Sequence, residues 1–166
     1  MIRRLLYAIS GRLPCRLIND GDRPYLERYY VGRLFGLTFY LHRFVASDPA
    51  RGLHDHPWAR AYSFVLAGKY IEETRAGDRW VCWFNRLTGD SFHRIVLPDG
   101  APHVWTLFCH GQYVKPWGFM RPLDTVAGVP LLLWEPHAYQ SDEASGKQRW
   151  WDTAPHGVDE HRRMPA

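Results

Sequence analysis

The fold of this chain is decided by the stretch His54-Asp55-His56-Pro57-Trp58, followed at residues 61–71 by Ala-Tyr-Ser-Phe-Val-Leu-Ala-Gly-Lys-Tyr-Ile. Side chains alternate between the two faces of an extended segment, so His54 and His56 point to the same side. Two imidazoles placed in this way can hold one metal ion, but the ion needs at least one further ligand from elsewhere. The stretch therefore predicts a metal site inside a small β-barrel.

Short apolar and aromatic runs separated by turn residues occupy the chain from residue 25 to residue 120. Turn signals such as Thr88-Gly89-Asp90 and Pro98-Asp99-Gly100 recur at roughly the 8–12-residue spacing of an all-β sandwich or barrel. No long helical pattern interrupts these runs, which argues against an α/β fold. The predicted strands are 29–31, 34–45, 61–73, 80–87, 91–97, 104–109 and 114–120.

The two ends of the chain have a different character, although all 166 residues fit one domain. Apolar residues recur at helical spacing between Leu5 and Leu13, so a short helix is predicted in an N-terminal extension, residues 1–20. The barrel core is predicted at about 25–122. Several prolines follow, and they predict an irregular C-terminal segment, 123–166, wrapped on the barrel.

Composition excludes several classes of function. The net charge of +4 is modest and forms no dense basic stripe, so nucleic acid is not an expected partner. The apolar part of the first nine residues is too short to span a membrane. Cys15, Cys82 and Cys109 lie far apart without a CxxC pair, which favours a reducing compartment. We therefore expect a cytoplasmic protein without nucleic-acid or membrane partners.

Two further histidines compete for the place of the third metal ligand. His93 and His103 each lie at the start of an apolar run, and both offer a neutral imidazole. If His93 points inward, Ile95 and Leu97 share its face, which suits a barrel interior. This pattern favours His93 and leaves His103 as the alternative.

Residues 52–121 resemble the cupin superfamily, whose barrels are built from two short motifs. His54 and His56 match the His-x-His pair of the first motif, and Gly68 stands where its closing glycine is expected. Pro98-Asp99-Gly100-Ala101-Pro102-His103 fits the first half of the second motif, but Leu107 stands in place of its asparagine. The resemblance implies a cupin-type jelly-roll β-barrel.

The chain is more specifically similar to a group of small, uncharacterised cupin-like proteins from phages and bacteria. The phrases that carry this similarity include His93-Arg94-Ile95-Val96-Leu97, Trp105-Thr106-Leu107 and Trp117-Gly118-Phe119. In that group the His-Arg phrase recurs, whereas a histidine at the position of His103 is not part of the pattern. The similarity is a second reason to prefer His93.

One departure from the cupin motif changes the expected ligand set. The motif glutamate would fall near Arg60 or Ala61, and neither residue can bind a metal. This implies three neutral histidines, as in thiol dioxygenases, with Glu72 open as a later carboxylate ligand. His42 is open as a ligand or, more readily, as a residue lining the pocket. Neutral ligands leave the charge of a divalent ion uncompensated, which favours an anionic substrate.

The sequence thus predicts an all-β cupin that binds a divalent first-row metal ion through His54, His56 and His93. Iron is the first choice, with manganese, nickel or zinc as alternatives. Three ligands on one side leave positions for substrate and dioxygen, so a dioxygenase-like enzyme acting on a small molecule is the first hypothesis.

A non-catalytic small-molecule-binding or structural module is the main alternative, because fold does not decide function. A metal-free barrel similar to sugar-nucleotide isomerases, with a histidine as general base, is the third option. Cupin barrels often pair through their edge strands, which adds a homodimer as an option. No catalytic residue is predicted from the sequence.

Overall fold

The computed structural model describes residues 1–126, 128–137 and 149–164, and these residues are mostly β-structure. One helix precedes twelve strands, and two short 3-10 helices follow them. The elements are α1 (Ile2–Ser10), β1 (Cys15–Asp20), β2 (Arg23–Leu34), β3 (Leu37–Phe44), β4 (Leu53–His54), β5 (Arg60–Ala67), β6 (Tyr70–Thr74), β7 (Gly77–Val81), β8 (Phe84–Thr88), β9 (His93–Val96), β10 (Val104–His110), β11 (Gly118–Val126), β12 (Val129–Pro136) and the 3-10 helices Trp150–Asp152 and Gly157–Asp159.

The strands form two antiparallel six-stranded sheets that pack face to face. The first sheet has the order β1-β2-β3-β10-β5-β8, and the second has the order β12-β11-β4-β9-β6-β7. Phe44, Val65 and Val104 of the first sheet meet Tyr70 and Ile95 of the second in one buried apolar cluster. This arrangement confirms the predicted jelly-roll fold, and it makes the space between the sheets the barrel interior.

A glycine turn divides the run predicted as a single strand at 61–73. Gly68 has a φ of 93°, and a Cβ at this position would lie 3.1 Å from Cγ2 of Val104. Only glycine adopts such a backbone easily, so the chain can turn here from β5 in the first sheet to β6 in the second. The run predicted at 80–87 is also divided, at Cys82 and Trp83, between β7 of the second sheet and β8 of the first.

The outer face of the first sheet is covered by the N-terminal helix. Leu6 of α1 packs with Tyr29, Leu41 and Trp105 in a second apolar cluster. Alternation predicts that Arg43 points away from the barrel interior, and it does lie on this outer face. Its side chain is nevertheless fully buried, because the helix and residues 162–164 lie over it.

Regular structure extends beyond the predicted barrel core at both ends. Strand β1 lies within the extension 1–20, and β11 and β12 carry strand structure to Pro136. The prolines of this region suggested irregular structure, but β12 is an edge strand and Pro122 lies beside a register shift. A missing N–H is tolerated at both kinds of position.

Of the segment 123–166, residues 127, 138–148 and 165–166 lie outside the described residues. The part from 149 to 164 is irregular apart from the two 3-10 helices, which agrees with the predicted C-terminal wrap. In the described ranges, no helix is long and apolar enough to cross a membrane.

Candidate metal centre

The structure brings His54, His56 and His93 together at one end of the barrel interior. His54 of β4 is the register partner of His93 of β9, and His56 follows two residues later. One ring nitrogen from each histidine lies within 4.8 Å of the other two. The Nε2 atoms of His56 and His93 are 2.8 Å apart.

Asp55 holds the histidine pair in its extended conformation. Its side chain is buried and accepts hydrogen bonds from the backbone N–H of Gly118 at 2.6 Å and from Nζ of Lys115 at 2.7 Å. Its own N–H donates to the carbonyl of Gly118, so the segment is fixed to the start of β11. Sequence reasoning missed Asp55, although its place between two inward histidines is a usable signal.

Glu72 contacts the cluster from the side of His93. Its Oε1 lies 2.6 Å from Nδ1 of His93, and the same oxygen accepts a hydrogen bond from Nδ2 of Asn85 at 2.6 Å. Burial alone raises the pKa of Glu72, but its hydrogen bonds with His93 and Asn85 and the nearby charge of Arg79 lower it overall. Glu72 therefore faces the far nitrogen of His93 and is not one of the three clustered groups.

Burial keeps the two histidines of the His-x-His pair neutral. It lowers the pKa of His54 well below 6.5, and neighbouring His93 lowers it further. The pKa of His56 is lowered by burial first, then by His93 and His54. Only the neutral imidazole binds a metal, so both side chains are in the required state at neutral pH.

The competing candidates occupy other places. His103 is buried with its Nδ1 3.5 Å from Nη2 of Arg43, outside the cluster. His42 accepts a hydrogen bond from Nε of Arg28 at 3.1 Å and stacks on Phe108 at 4.9 Å. His42 thus lies in the barrel interior with a hydrogen-bond partner and belongs to no metal-ligating group in the described part of the chain.

Aromatic rings surround the three histidines. Trp58 stacks on His56 with ring centroids 5.3 Å apart, and its ring also lies 4.2 Å from that of His110. On the other side, Trp117 lies 6.2 Å from His54. Aromatic rings thus flank the cluster, in which His54 and His56 are half-buried and His93 is buried.

The donor set fits a divalent first-row metal ion. Two nitrogen ligands at right angles, each about 2.1 Å from a metal, lie about 3 Å apart. The 2.8 Å between the Nε2 atoms of His56 and His93 is close to this value. Neutral imidazoles suit zinc, copper, iron and nickel.

Comparison with known proteins supports the fold. No protein-family model and no curated protein matches the sequence. A structure of the DMSP lyases RdDddP and RnDddQII matches with a TM-score of 0.51 at 12% identity, over 66% of this chain and 63% of that one. Fe(II) HppE matches with a TM-score of 0.50 at 11% identity, over 59% of this chain and 56% of that one.

A cupin-2 domain protein from Shewanella frigidimarina matches with a TM-score of 0.44 at 9% identity, covering 51% of this chain and 79% of that one. The alignments with the DMSP lyase structure and with HppE span less than two thirds of those chains. At such identities the likeness to the DMSP lyase structure and to HppE shows the fold and says nothing of activity.

Proposed function

We propose that this chain, which has the fold of the cupin superfamily, is a metal-dependent enzyme acting on a small molecule. His54, His56 and His93 would bind one divalent ion, with iron as the first choice and manganese, nickel or zinc as alternatives. The observation that carries this proposal is the cluster itself, three histidine nitrogens within 4.8 Å of one another.

When bound, a metal with three protein ligands supplies a Lewis acid with open positions, and dioxygenase chemistry is the leading subclass. The residues of this chain would prepare that site. Burial holds His54 and His56 in the neutral form that can donate a lone pair. Trp58, Trp117 and Phe119 flank the histidines, since their rings lie within 6.3 Å of those of His54 or His56.

The charge of the site favours an anionic substrate. Three neutral ligands leave the full charge of a divalent ion uncompensated. Arg28 adds positive charge, since its guanidinium lies 5.5 Å from the centre of the Tyr40 ring, inside the barrel. Burial and then the charge of Arg28 lower the pKa of His42, and Arg28 also acts on the pKa of His56, after burial, His93 and His54. A small organic acid is therefore the proposed substrate class.

The non-catalytic alternative stands beside this proposal, because two of the cavities in the described part of the chain, of about 480 Å³ and 220 Å³, lie away from the cluster, near Pro98–Val104 and near Gly52–Leu53. None of the three clustered histidines lines either cavity. A metal closed off without space for a substrate would make the barrel a structural or binding module.

Elemental analysis tests the metal site. Protein purified without added metal or chelator should carry a first-row metal at close to one ion per chain. The His54→Ala, His56→Ala double variant should lose it while remaining folded, whereas the matched His103→Ala variant should keep it. A double variant that retains the metal would disprove the assignment.

Oxygen uptake then separates the two functions. The metal-loaded protein is mixed with a panel of small carboxylic acids, and dioxygen consumption is followed with an oxygen electrode. Uptake that depends on one acid and disappears in the double variant would support the enzyme. A tightly held zinc ion without turnover of any acid would favour the non-catalytic module.

A further inference from the structure

Glu72 and His93 form a buried pair on neighbouring strands of the second sheet. Glu72 lies on β6 and His93 on β9, and they are only 1% and 3% exposed. The distance from Oε1 of Glu72 to Nδ1 of His93 is 2.6 Å, typical of a charge-assisted hydrogen bond.

This contact determines which nitrogen of His93 carries the proton. A neutral imidazole has one N–H and one lone pair, and a carboxylate can only accept a hydrogen bond. Glu72 therefore places the N–H on Nδ1 and the lone pair on Nε2. Nε2 is the atom that faces His56, 2.8 Å from its Nε2. The carboxylate thus turns the ligating nitrogen of His93 toward the cluster.

The carboxylate is itself held by two further side chains. Nδ2 of Asn85 donates to Oε1 of Glu72 at 2.6 Å, and Nη2 of Arg79 lies 2.5 Å from Oε2. Arg79 also donates to Oδ1 of Asn85 at 2.6 Å, so the three residues brace one another. Both carboxylate oxygens are engaged, which leaves Glu72 better suited to orient a ligand than to bind the metal.

We propose that Glu72 is a positioning residue for the metal, acting through His93 and braced by Asn85 and Arg79. The inference rests on the proposed metal site. A carboxylate behind a metal-binding histidine fixes the ring and strengthens the donor nitrogen, and its loss typically weakens metal binding about 10–100-fold.

The test uses the metal alone, cobalt(II) added to the metal-free protein in competition with a chromophoric chelator. Glu72→Gln should bind cobalt about 10–100-fold more weakly than the wild type. The visible absorption bands of the bound cobalt should also shift, because the donor strength of His93 changes. A purely structural role for Glu72 would leave these bands unchanged in the protein that binds cobalt.

Glu73→Gln is the matched control. Glu73 is the next residue on the same strand, but it pairs with Arg94 at 3.2 Å and is partly exposed. Glu73→Gln removes the same charge as Glu72→Gln, but one position further along β6 and on the opposite face of the sheet. Cobalt affinity and spectrum should both stay at wild-type values in this variant.

Two comparisons make the outcome decisive. Unchanged cobalt affinity and spectrum in Glu72→Gln, with cobalt lost in His93→Ala, would overturn this inference and leave the metal site standing. Cobalt retained in His93→Ala would instead overturn the metal site. If Glu72→Gln does not fold, Arg79→Met carries the test, since Arg79 is 53% exposed. A wild-type affinity and spectrum in Arg79→Met would then overturn the inference.

Discussion

Two buried carboxylates, each paired with an arginine, are put to different uses on the two sides of the barrel wall. Inside, Glu72 contacts His93 and Arg79. Outside, beneath the N-terminal helix, Glu27 accepts hydrogen bonds from Nη1 of Arg43, from the Tyr29 hydroxyl at 2.6 Å and from the N–H of Arg163 at 2.8 Å.

The arginines show the difference most clearly. Arg79 is half-exposed and holds only the far side of its carboxylate. Arg43 is fully buried, and its other N–H groups donate to the carbonyl oxygens of Arg163 at 2.5 Å and Met164 at 3.0 Å. The outer pair therefore tethers residues 163–164 to β2 and β3, whereas the carboxylate of the inner pair orients His93 toward the barrel interior. The two ion pairs are chemically alike, and their roles differ because the other groups that they contact differ.

The largest expected effect comes from breaking the outer pair. Arg43→Met leaves Glu27 buried without its charged partner, which should lower the free energy of unfolding by about 3–5 kcal/mol. Urea denaturation measures this loss. The control is Arg94→Met, because the pair of Arg94 with Glu73 is partly exposed and should contribute less than about 1 kcal/mol. Equal losses in both variants would show that the outer pair is not a tether.

Metal binding at the inner site should raise the free energy of unfolding by a smaller amount. A metal that binds only the folded state at 100 times its dissociation constant stabilises the protein by about 2.7 kcal/mol. Thermal unfolding with and without metal should show this gain in the wild type and in Arg43→Met, but not in His54→Ala. A gain in His54→Ala would mean that the metal binds elsewhere.

Acid should weaken both regions through buried histidines. Burial, together with Arg43 and Arg3, lowers the pKa of His103 to about 4, and burial lowers that of His110 to about 4. The unfolded chain takes up these protons near pH 6.5, so it is favoured as the pH falls toward 4.

Between pH 6.5 and 5.5 each of these histidines should cost about 1 kcal/mol of stability. Unfolding of metal-free protein at several pH values measures the slope. His103→Gln, beside the outer pair, and His110→Gln, beside Trp58, should each make the dependence of stability on pH less steep. If neither variant changed the slope, the acid sensitivity would have to arise from other groups.

The smallest expected effect is on metal affinity when His103 is removed. His103 lies beside Arg43 and away from the cluster, so His103→Gln should bind cobalt as the wild type does. His93→Gln should bind it far more weakly, because one of three ligands is gone. Chelator competition with both variants decides between the two candidates for the third ligand.

Much of the fold was predictable, because the pattern of short strands and turns is local. The prolines predict irregular structure where β11 and β12 lie, because the edge position that tolerates them is set by tertiary pairing and cannot be read from the sequence. The sequence predicted that either His93 or His103 would lie near His54, and it favoured His93. The contact between Glu72 and His93 was not predictable, because it depends on the register of β6 against β9.

The burial of Arg43 was also beyond sequence reasoning. Alternation correctly predicts the face on which it lies, but the groups that cover it come from the two ends of the chain. Tyr7 lies beneath its guanidinium at 5.2 Å, and Met164 accepts one of its hydrogen bonds. No local pattern joins residues so distant.

The outer tether has a consequence for the order of events during synthesis. The helix α1 leaves the ribosome before the strands, yet Arg162, which donates to Oγ of Ser10 and to the carbonyl of Tyr7, is 152 and 155 residues further along. The barrel strands can pair while the chain is still growing, but this face is completed only once residues 162–164 have emerged. Until then Glu27 and Arg43 lack part of their cover, and this face of the nascent protein is open to water.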